Sequence, residues 1–421
     1  MSERPDPAAY AIGGVTPRAV ARPASPEEAA AVMRVAARDR LAVVPWGGGV
    51  GLAHAAAPAR YDLALDLAAL DGIAAYEPDD LTITAGGGTT LAALRAAVAA
   101  HGQELPLEAP RAERATLGGV LAANASGPRR LRFGAPRDRV LGGRFLLGDG
   151  TLVRSGGRVV KNVAGYALHR LLCGSRGGLG VLLEATVKLE PAPARRAALL
   201  FGAGPRTLAD AARWVALAAL EPAVLTVVGD RLGGALPVSS PTDPFTLVVG
   251  LEDDEARVDE QAAAYTRMLG EPDARLEGDS VAKLWQSLAD VEDRDGGDRG
   301  TRAPHGSAAC VHLAFTGGGG APAPSAGPPA ALAALLDGPE RVPFLLHAPA
   351  GRLHVFPAPG AAAETADRLA RAGLVLLEAG GVALPPYLPP QAAALELRAR
   401  IRAALDPAGT LAYGPEWERD V

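Results

Sequence analysis

The sequence predicts an α+β fold in two principal units, and three observations carry that prediction. Short apolar strands alternate with capped helices through the first part of the chain, glycine runs follow several of those strands, and the texture changes after Pro191-Ala192-Pro193. The 421 residues suit two or three domains of about 100–200 residues each. The reading sets a first unit at 1–193, a second α+β unit at 194–390, and a closing helix and tail at 391–421.

Ser25-Pro26-Glu27-Glu28 combines an N-cap, a proline at the first helical position and a capping-box glutamate, so a helix is expected over Glu27–Asp39. Leu41–Pro45 reads as a short buried strand running into Gly47-Gly48-Gly49-Val50-Gly51. Leu63, Leu65 and Leu67 alternate on one face of a strand over Asp62–Leu67. Leu81–Ala85 is a further strand, followed by Gly86-Gly87-Gly88, and Thr89 or Thr90 caps a helix that stops at Gly102. Val140–Leu147 and Thr151–Ser155 flank Gly148-Asp149-Gly150, a hairpin signal, and Leu179–Leu189 is a long apolar strand. Beyond the prolines come helix Thr207–Leu220, strands Ala223–Val228 and Phe245–Leu251, and helix Asp254–Met268. Asp290–Ala303 reads as a charged loop and Gly317–Pro329 as a low-complexity crossing. Strands near 342–347 and 352–356, helix Ala361–Ala372, strand Leu374–Glu378 and helix Gln391–Leu405 complete the expectation.

Composition narrows the function. The net charge is −5 with a pI near 5.9, which argues against a nucleic-acid binder. No apolar run approaches the ~18 residues of a membrane span, and Met1–Pro7 lacks the apolar core of a secretory signal. Two cysteines, Cys173 and Cys310, provide neither a disulfide framework nor the four thiolates that an iron–sulfur cluster normally takes. No metal site is expected. Asparagine occurs only at Asn124 and Asn162, and lysine only at Lys161, Lys188 and Lys283. Both asparagines and Lys161 fall among glycines between 116 and 180, where a polar side chain serves a backbone or a ligand.

The glycine loops match neither the G-x-G-x-x-G dinucleotide fingerprint nor a P-loop. What remains is strand followed by glycine, whose successive backbone N–H groups can form an anion-binding concavity. One such loop alone is more often a tight strand connection. Several within a single ~150-residue unit favour an elongated, phosphate-bearing cofactor. Arg111, Arg114, Arg129, Arg130, Arg132, Arg137 and Arg139, against Glu113 and Asp138, form a local positive field in an acidic chain. That field suits a pyrophosphate, an acidic partner surface or a solvated loop.

Ala115-Thr116-Leu117-Gly118-Gly119, Ser126-Gly127-Pro128-Arg129-Arg130 and Arg137-Asp138-Arg139-Val140-Leu141-Gly142 resemble successive motifs of the FAD-binding PCMH-type domain of vanillyl-alcohol-oxidase-like flavoproteins. Gly156-Gly157-Arg158-Val159-Val160-Lys161-Asn162-Val163-Ala164-Gly165-Tyr166, continuing to Gly174-Ser175, resembles the E-type FAD-binding subunit of glycolate oxidase (glycolate dehydrogenase). Leu405-Asp406-Pro407-Ala408-Gly409 is similar to the segment by which many such chains return to the FAD domain.

The resemblance implies a two-part PCMH-type FAD-binding domain with an α+β cap domain, and FAD between them. It implies cofactor contacts from Trp46, Gly47, Gly48, Gly49, Val50 and Gly51 at the pyrophosphate, from Thr116, Gly118, Gly119, Ser126 and Gly127 further along, and from Gly180 and Val181 near the isoalloxazine or ribityl chain. Val50 stands where covalently flavinylated members carry histidine, so non-covalent FAD is expected. Trp46 replaces an arginine common in relatives, and His347-Ala348-Pro349-Ala350-Gly351-Arg352-Leu353-His354 keeps both histidines of the family's H-x-G-D-G-N-x-H-like segment without its Asp and Asn. The implied activity is oxidation of glycolate or a similar small 2-hydroxy acid by hydride transfer from its α-carbon to FAD. The alternative is a non-catalytic FAD-holding assembly and electron-relay subunit. The implied partners are a second flavin subunit and an iron–sulfur subunit, with the chain cytoplasmic or peripheral to the inner membrane through them. No catalytic base is assigned. Tyr166, Lys161, His347 and His354 are the candidates.

Overall fold

The computed structural model describes residues 5–52, 57–158, 165–203, 216–229, 245–291, 311–314, 344–347, 352–355, 364–365, 375–379 and 392–412. By contact density the chain divides into one unit of residues 1–126, 135–192 and 389–421, and another of residues 127–134 and 193–388. The eight-residue segment 127–134 therefore leaves the first unit in mid-sequence and groups with the second.

Among the described residues, the first unit holds two main sheets and a two-stranded pair. A 3-10 turn, Pro7–Tyr10, precedes strand β1 (Ala19–Ala21), helix α1 (Pro26–Arg38), β2 (Val43–Trp46) and β3 (Leu63–Asp66). The strands form a parallel sheet in the order β1-β3-β2. The α1 cap is the one its sequence announces, with the Ser25 hydroxyl accepting from the Glu28 N–H and the Glu28 carboxylate accepting from the Ala24 N–H. Next come β4 (Ile73–Glu77), β5 (Thr82–Gly86), α2 (Leu91–Ala99, capped by Thr90), β6 (Gln103–Glu104), α3 (Leu117–Ala123), α4 (Arg130–Phe133), α5 (Pro136–Arg139), β7 (Val140–Leu146), β8 (Leu152–Gly156), α6 (Leu168–Leu172), β9 (Val181–Lys188) and β10 (Glu190–Pro191). The short α4 lies in the segment that belongs to the second unit. An antiparallel sheet runs β4-β5-β9-β7-β8, and β6 pairs with β10.

Ala29, Ala30 and Met33 of α1 pack against Val43, Leu63 and Leu65 of one sheet and Leu146, Val181 and Leu183 of the other. The tail closes this core. After helix α9 (Ala392–Leu405), Thr410 and Ala412 hydrogen-bond Val43, and Leu411 lies fully buried in the same cluster. The buried Asp406 carboxylate sets the turn by accepting from the Thr410 and Leu411 N–H groups, both at 2.8 Å. The strip beyond α9 is thus an added parallel partner of β2.

The second unit is built on an eight-stranded antiparallel sheet. Its strands are β11 (Arg195–Ala203), β12 (Val224–Val228), β13 (Phe245–Asp253), β14 (Ala274–Glu277), β15 (Val311–Ala314), β16 (Phe344–His347), β17 (Arg352–Val355) and β18 (Val375–Ala379), in the order β14-β11-β13-β12-β16-β17-β15-β18. Helix α7 (Glu255–Leu269) is capped by Asp254. Helix α8 (Asp279–Val291) covers Ala198, Leu200, Val224 and Val248 with Val281, Leu284, Trp285 and Leu288. The loop expected from Asp290 begins as the last turn of that helix, because Val291 is buried in the same cluster. The expected crossing at 317–329 and most of the helices expected over 207–220 and 361–372 lie outside the described residues.

One buried charge organises this unit. Glu252, at the end of β13, has a fully buried side chain. Its carboxylate accepts from Trp285 Nε1 at 2.9 Å and faces Arg129 Nη1 and Arg196 Nε, each at 3.4 Å. Its carbonyl accepts from Arg132. Within segment 127–134, Arg129 also stacks on Phe133. Removing one member leaves buried charge uncompensated, so Glu252→Ala should cost about 3–5 kcal/mol, read as a lower urea midpoint. Asp406→Ala removes two charge-assisted bonds and should cost about 2–3 kcal/mol in the same titration.

Candidate cofactor site

Strand β2 ends at Trp46 and delivers the chain into Gly47–Gly51. The segment Arg114–Thr116 walls this loop on one side. A Cβ on Gly47 would stand 2.3 Å from Thr116 Oγ1, and one on Gly48 would stand 1.8 Å from the Arg114 carbonyl oxygen. The Arg114 guanidinium also donates to the Gly48 carbonyl at 3.3 Å. Trp46 walls the other side, with Cζ2 of its indole 2.9 Å from the position of a Cβ on Gly49, whose φ is +72°. Among the described residues, nothing accepts a hydrogen bond from the backbone N–H groups of Gly47, Gly48, Gly49, Val50 or Gly51. Successive backbone N–H groups without an acceptor among the described residues are a feature of anion-binding concavities. Gly51 has open space where a Cβ would go, and Val50 packs on the core formed by α2, α3 and the antiparallel sheet.

Helix α3 supplies the second part. Thr116 caps it by accepting from the Gly119 N–H. The sequence shows only glycines there, because two glycines in seven residues hide a helix. Gly118 is used for packing: its N–H bonds the Gly87 carbonyl, and a Cβ would stand 2.9 Å from that oxygen and 3.3 Å from the Leu182 carbonyl. Asn124 ends the helix in the left-handed conformation at φ +49°, and its Oδ1 accepts from the Arg137 N–H, so this rare asparagine serves the backbone. Gly174 and Gly177 pack the following loop onto Asn124 and Pro45.

The remaining expected residues are placed differently. Ser126 is buried at the last position of its stretch of the first unit, and Gly127 opens the segment that groups with the second. Gly180 lies against Leu172 and the Leu146 carbonyl. The Val181 side chain is fully buried in the α1 core, so only its backbone is available to a ligand. Lys161 and Asn162 lie outside the described residues, and Tyr166 is 92 % exposed. The arginine cluster is not one free field: Arg129 and Arg132 turn to Glu252, Arg139 pairs with Glu190, and Arg114 holds Gly48.

Two arrangements escaped the sequence. Ser155 Oγ lies 3.0 Å from Nδ1 of the buried His169 and donates to the Tyr166 carbonyl, closing the loop that follows β8. Burial and the neighbouring Arg170 hold the His169 imidazole below its ordinary range. In the second unit, the register sets His354 opposite His312 and His312 opposite Glu378 across β17, β15 and β18, an alignment that no linear spacing reveals. Burial pushes the Cys173 thiol up to about 12, leaving it protonated and unreactive.

The paired sheets, the glycine loop and the large antiparallel second unit define a PCMH-type flavoprotein fold. Residues 17–156 match the family model described as FAD binding domain. The fold is shared with 4-ethylphenol oxidase from Gulosibacter chungangensis (TM-score 0.69, 15 % identity, 95 % of this chain and 89 % of that one). It is shared also with alkyldihydroxyacetonephosphate synthase (TM-score 0.66, 15 % identity, 95 % and 77 %). Closer in sequence are glycolate oxidase subunit GlcE of Escherichia coli, 49 % identical over 130 residues, and D-lactate dehydrogenase of Archaeoglobus fulgidus, 33 % identical over 270 residues. Glycolate oxidase subunit GlcD of Bacillus subtilis is 32 % identical over 233 residues. The matches take in 31 %, 61 % and 53 % of this chain, and span only 37 %, 59 % and 50 % of those relatives. No described helix is long and apolar enough to cross a membrane.

The depressed His169 gives a pH signature. The unfolded chain binds the imidazole proton near 6.5 and the folded chain only at lower pH. The neutral form's contribution is therefore complete above 6.5 and is lost as pH falls through the folded value. Melting temperatures from pH 7.5 to 5 should fall more steeply for the native chain than for His169→Gln.

Proposed function

We propose that the chain is a flavin-dependent subunit that oxidises glycolate or a similar small 2-hydroxy acid within a larger complex. The single observation that carries the reading is the set of five N–H groups at Gly47–Gly51 with no acceptor among the described residues, inside a stretch that matches an FAD-binding domain model. The relatives' names supply the substrate class and the idea of a complex. In this reading 1–193 and 391–421 hold FAD and 194–390 forms the cap. Gly47–Gly51 would hold the pyrophosphate, with Thr116, Gly118, Gly119, Ser126 and Gly127 fixing the adjoining backbone. FAD held there would supply the two-electron oxidant for the substrate's α-carbon and hydroxyl, with the Gly47–Gly51 backbone fixing its pyrophosphate. The protein's part is to hold the flavin and exclude water around it.

Non-covalent attachment is favoured by Val50 at the loop and by the protonated, buried Cys173. With only two cysteines in the chain, electrons from reduced flavin would pass to a partner carrying a second flavin or an iron–sulfur cluster. The second reading, a non-catalytic FAD-holding relay subunit, is favoured by the absence of carboxylate and amide residues between His347 and His354.

Glycolate added anaerobically to the purified chain separates the two readings: bleaching of the flavin band marks catalysis, and an unchanged band marks the relay role. Gly51→Val, which places its side chain in open space among the described residues, should fold normally yet lose FAD on gel filtration. Retention of the full flavin complement by that variant would remove the loop from the site. Acid precipitation should release all flavin to the supernatant.

A further inference from the structure

The phosphate loop is shaped from beneath by a buried aromatic and ionic stack. Asp66, only 2 % exposed, is the register partner of Trp46 at the ends of β3 and β2. Its carboxylate accepts from the Tyr10 hydroxyl at 2.6 Å, from Arg22 Nε at 2.7 Å and from the Ala68 N–H at 2.9 Å. Arg22 also donates to the Tyr10 oxygen. Burial and the adjacent carboxylate keep the Tyr10 phenol above its ordinary range, so it remains a neutral donor. The Tyr10 ring meets Trp46 edge-on, with centroids 5.0 Å apart at 61°. Trp46 is itself 5 % exposed, and its indole lies against Gly49 at the loop's left-handed position.

A glycine-rich loop on its own has more conformations to lose on binding than any other sequence. Here its freedom is removed by neighbours. Gly47 and Gly48 fit against Thr116 and Arg114, and Gly49 sits on an indole that Tyr10 supports from behind. We propose that Trp46, supported by Tyr10 and Asp66, is a positioning residue that holds Gly47–Gly51 in its phosphate-binding shape before FAD arrives. This rests on the proposed pyrophosphate role of the loop and adds that the site is pre-organised by a residue whose ring lies beneath the loop. Trp46 then acts through Gly49, and its effect falls on ligands that carry a pyrophosphate.

The test compares FAD with riboflavin, which has the same ring system without the phosphates. Dissociation constants are measured by flavin fluorescence on the full-length native chain, Trp46→Phe and Trp46→Ala, with a thermal melt of each. Freeing even one loop residue costs about tenfold in affinity. Trp46→Ala should therefore weaken FAD by about tenfold or more while changing riboflavin by less than about threefold, and Trp46→Phe should fall between it and the native chain. Gly49→Ala, which presses on the indole from the loop side, should show the same selective loss and serves if Trp46→Ala does not fold. A lower melting temperature with an unchanged ratio of the two affinities would make Trp46 merely a core residue and overturn the proposal. A native chain that binds riboflavin as tightly as FAD would overturn the pyrophosphate reading itself, and the positioning role with it.

Discussion

The first unit depends on backbones that approach one another more closely than any side chain permits. The carbonyl of Arg114 fits against Gly48, that of Leu67 against Gly88, and those of Gly87 and Leu182 against Gly118. These contacts fasten the loop after β2 to the entry of α3, and α3 to β9. Glycine here has two jobs, and the destination of its N–H separates them. The N–H groups of Gly87, Gly88 and Gly118 bond protein carbonyls and close the packing. Those of Gly47–Gly51 meet no acceptor among the described residues. A glycine-rich sequence becomes a binding surface where the packing stops consuming its donors.

That distinction marks what could be read in the sequence. Strands β2 and β3, the Ser25 cap, the cap at Thr89 or Thr90 and the hairpin of β7 and β8 were legible because each is written within about ten residues, whereas the short β1 was not. Helix α3 was not, since Gly118 and Gly119 lower its propensity and its stability comes from the sheet beneath it. Strands β11 and β14 and helix α8 were also missed. The apolar stretch of β11 is broken by Gly202, and α8 carries its apolar stripe among polar residues in a region that looked like loop. In the site, Trp46, Gly47–Gly51 and Thr116 are brought together as adjacent walls of one loop. Val181 turned inward because strand alternation points it at α1. Glu252 could not be matched to Arg129 from sequence, because their pairing joins residues more than a hundred positions apart.

The second unit handles its ionic group differently from the first. Asp66 has an Arg22 partner that is half exposed, and water shares in its solvation. Glu252 is removed from solvent entirely and must be neutralised by protein, which it is, by an indole donor and two guanidinium groups from separate stretches of the sequence. Such a cluster contributes little net energy compared with apolar packing, but it tolerates no alternative arrangement of its members. It anchors segment 127–134 within the unit.

The tail has a temporal consequence. Strand β2, whose end opens into the Gly47–Gly51 loop, is flanked on one side by β3 and on the other by Thr410–Ala412. During synthesis the first neighbour emerges almost at once, and the second only after the whole second unit has followed it. At about 5–20 residues per second the interval is roughly tens of seconds. Throughout it, one edge of β2 and the apolar position later filled by Leu411 stay uncovered, the kind of surface that recruits chaperones or neighbouring nascent chains. Completion of the β2 edge thus awaits residues translated long after the Gly47–Gly51 loop, and a chain cut short before Thr410 would have that loop follow a strand with one of its two neighbours missing.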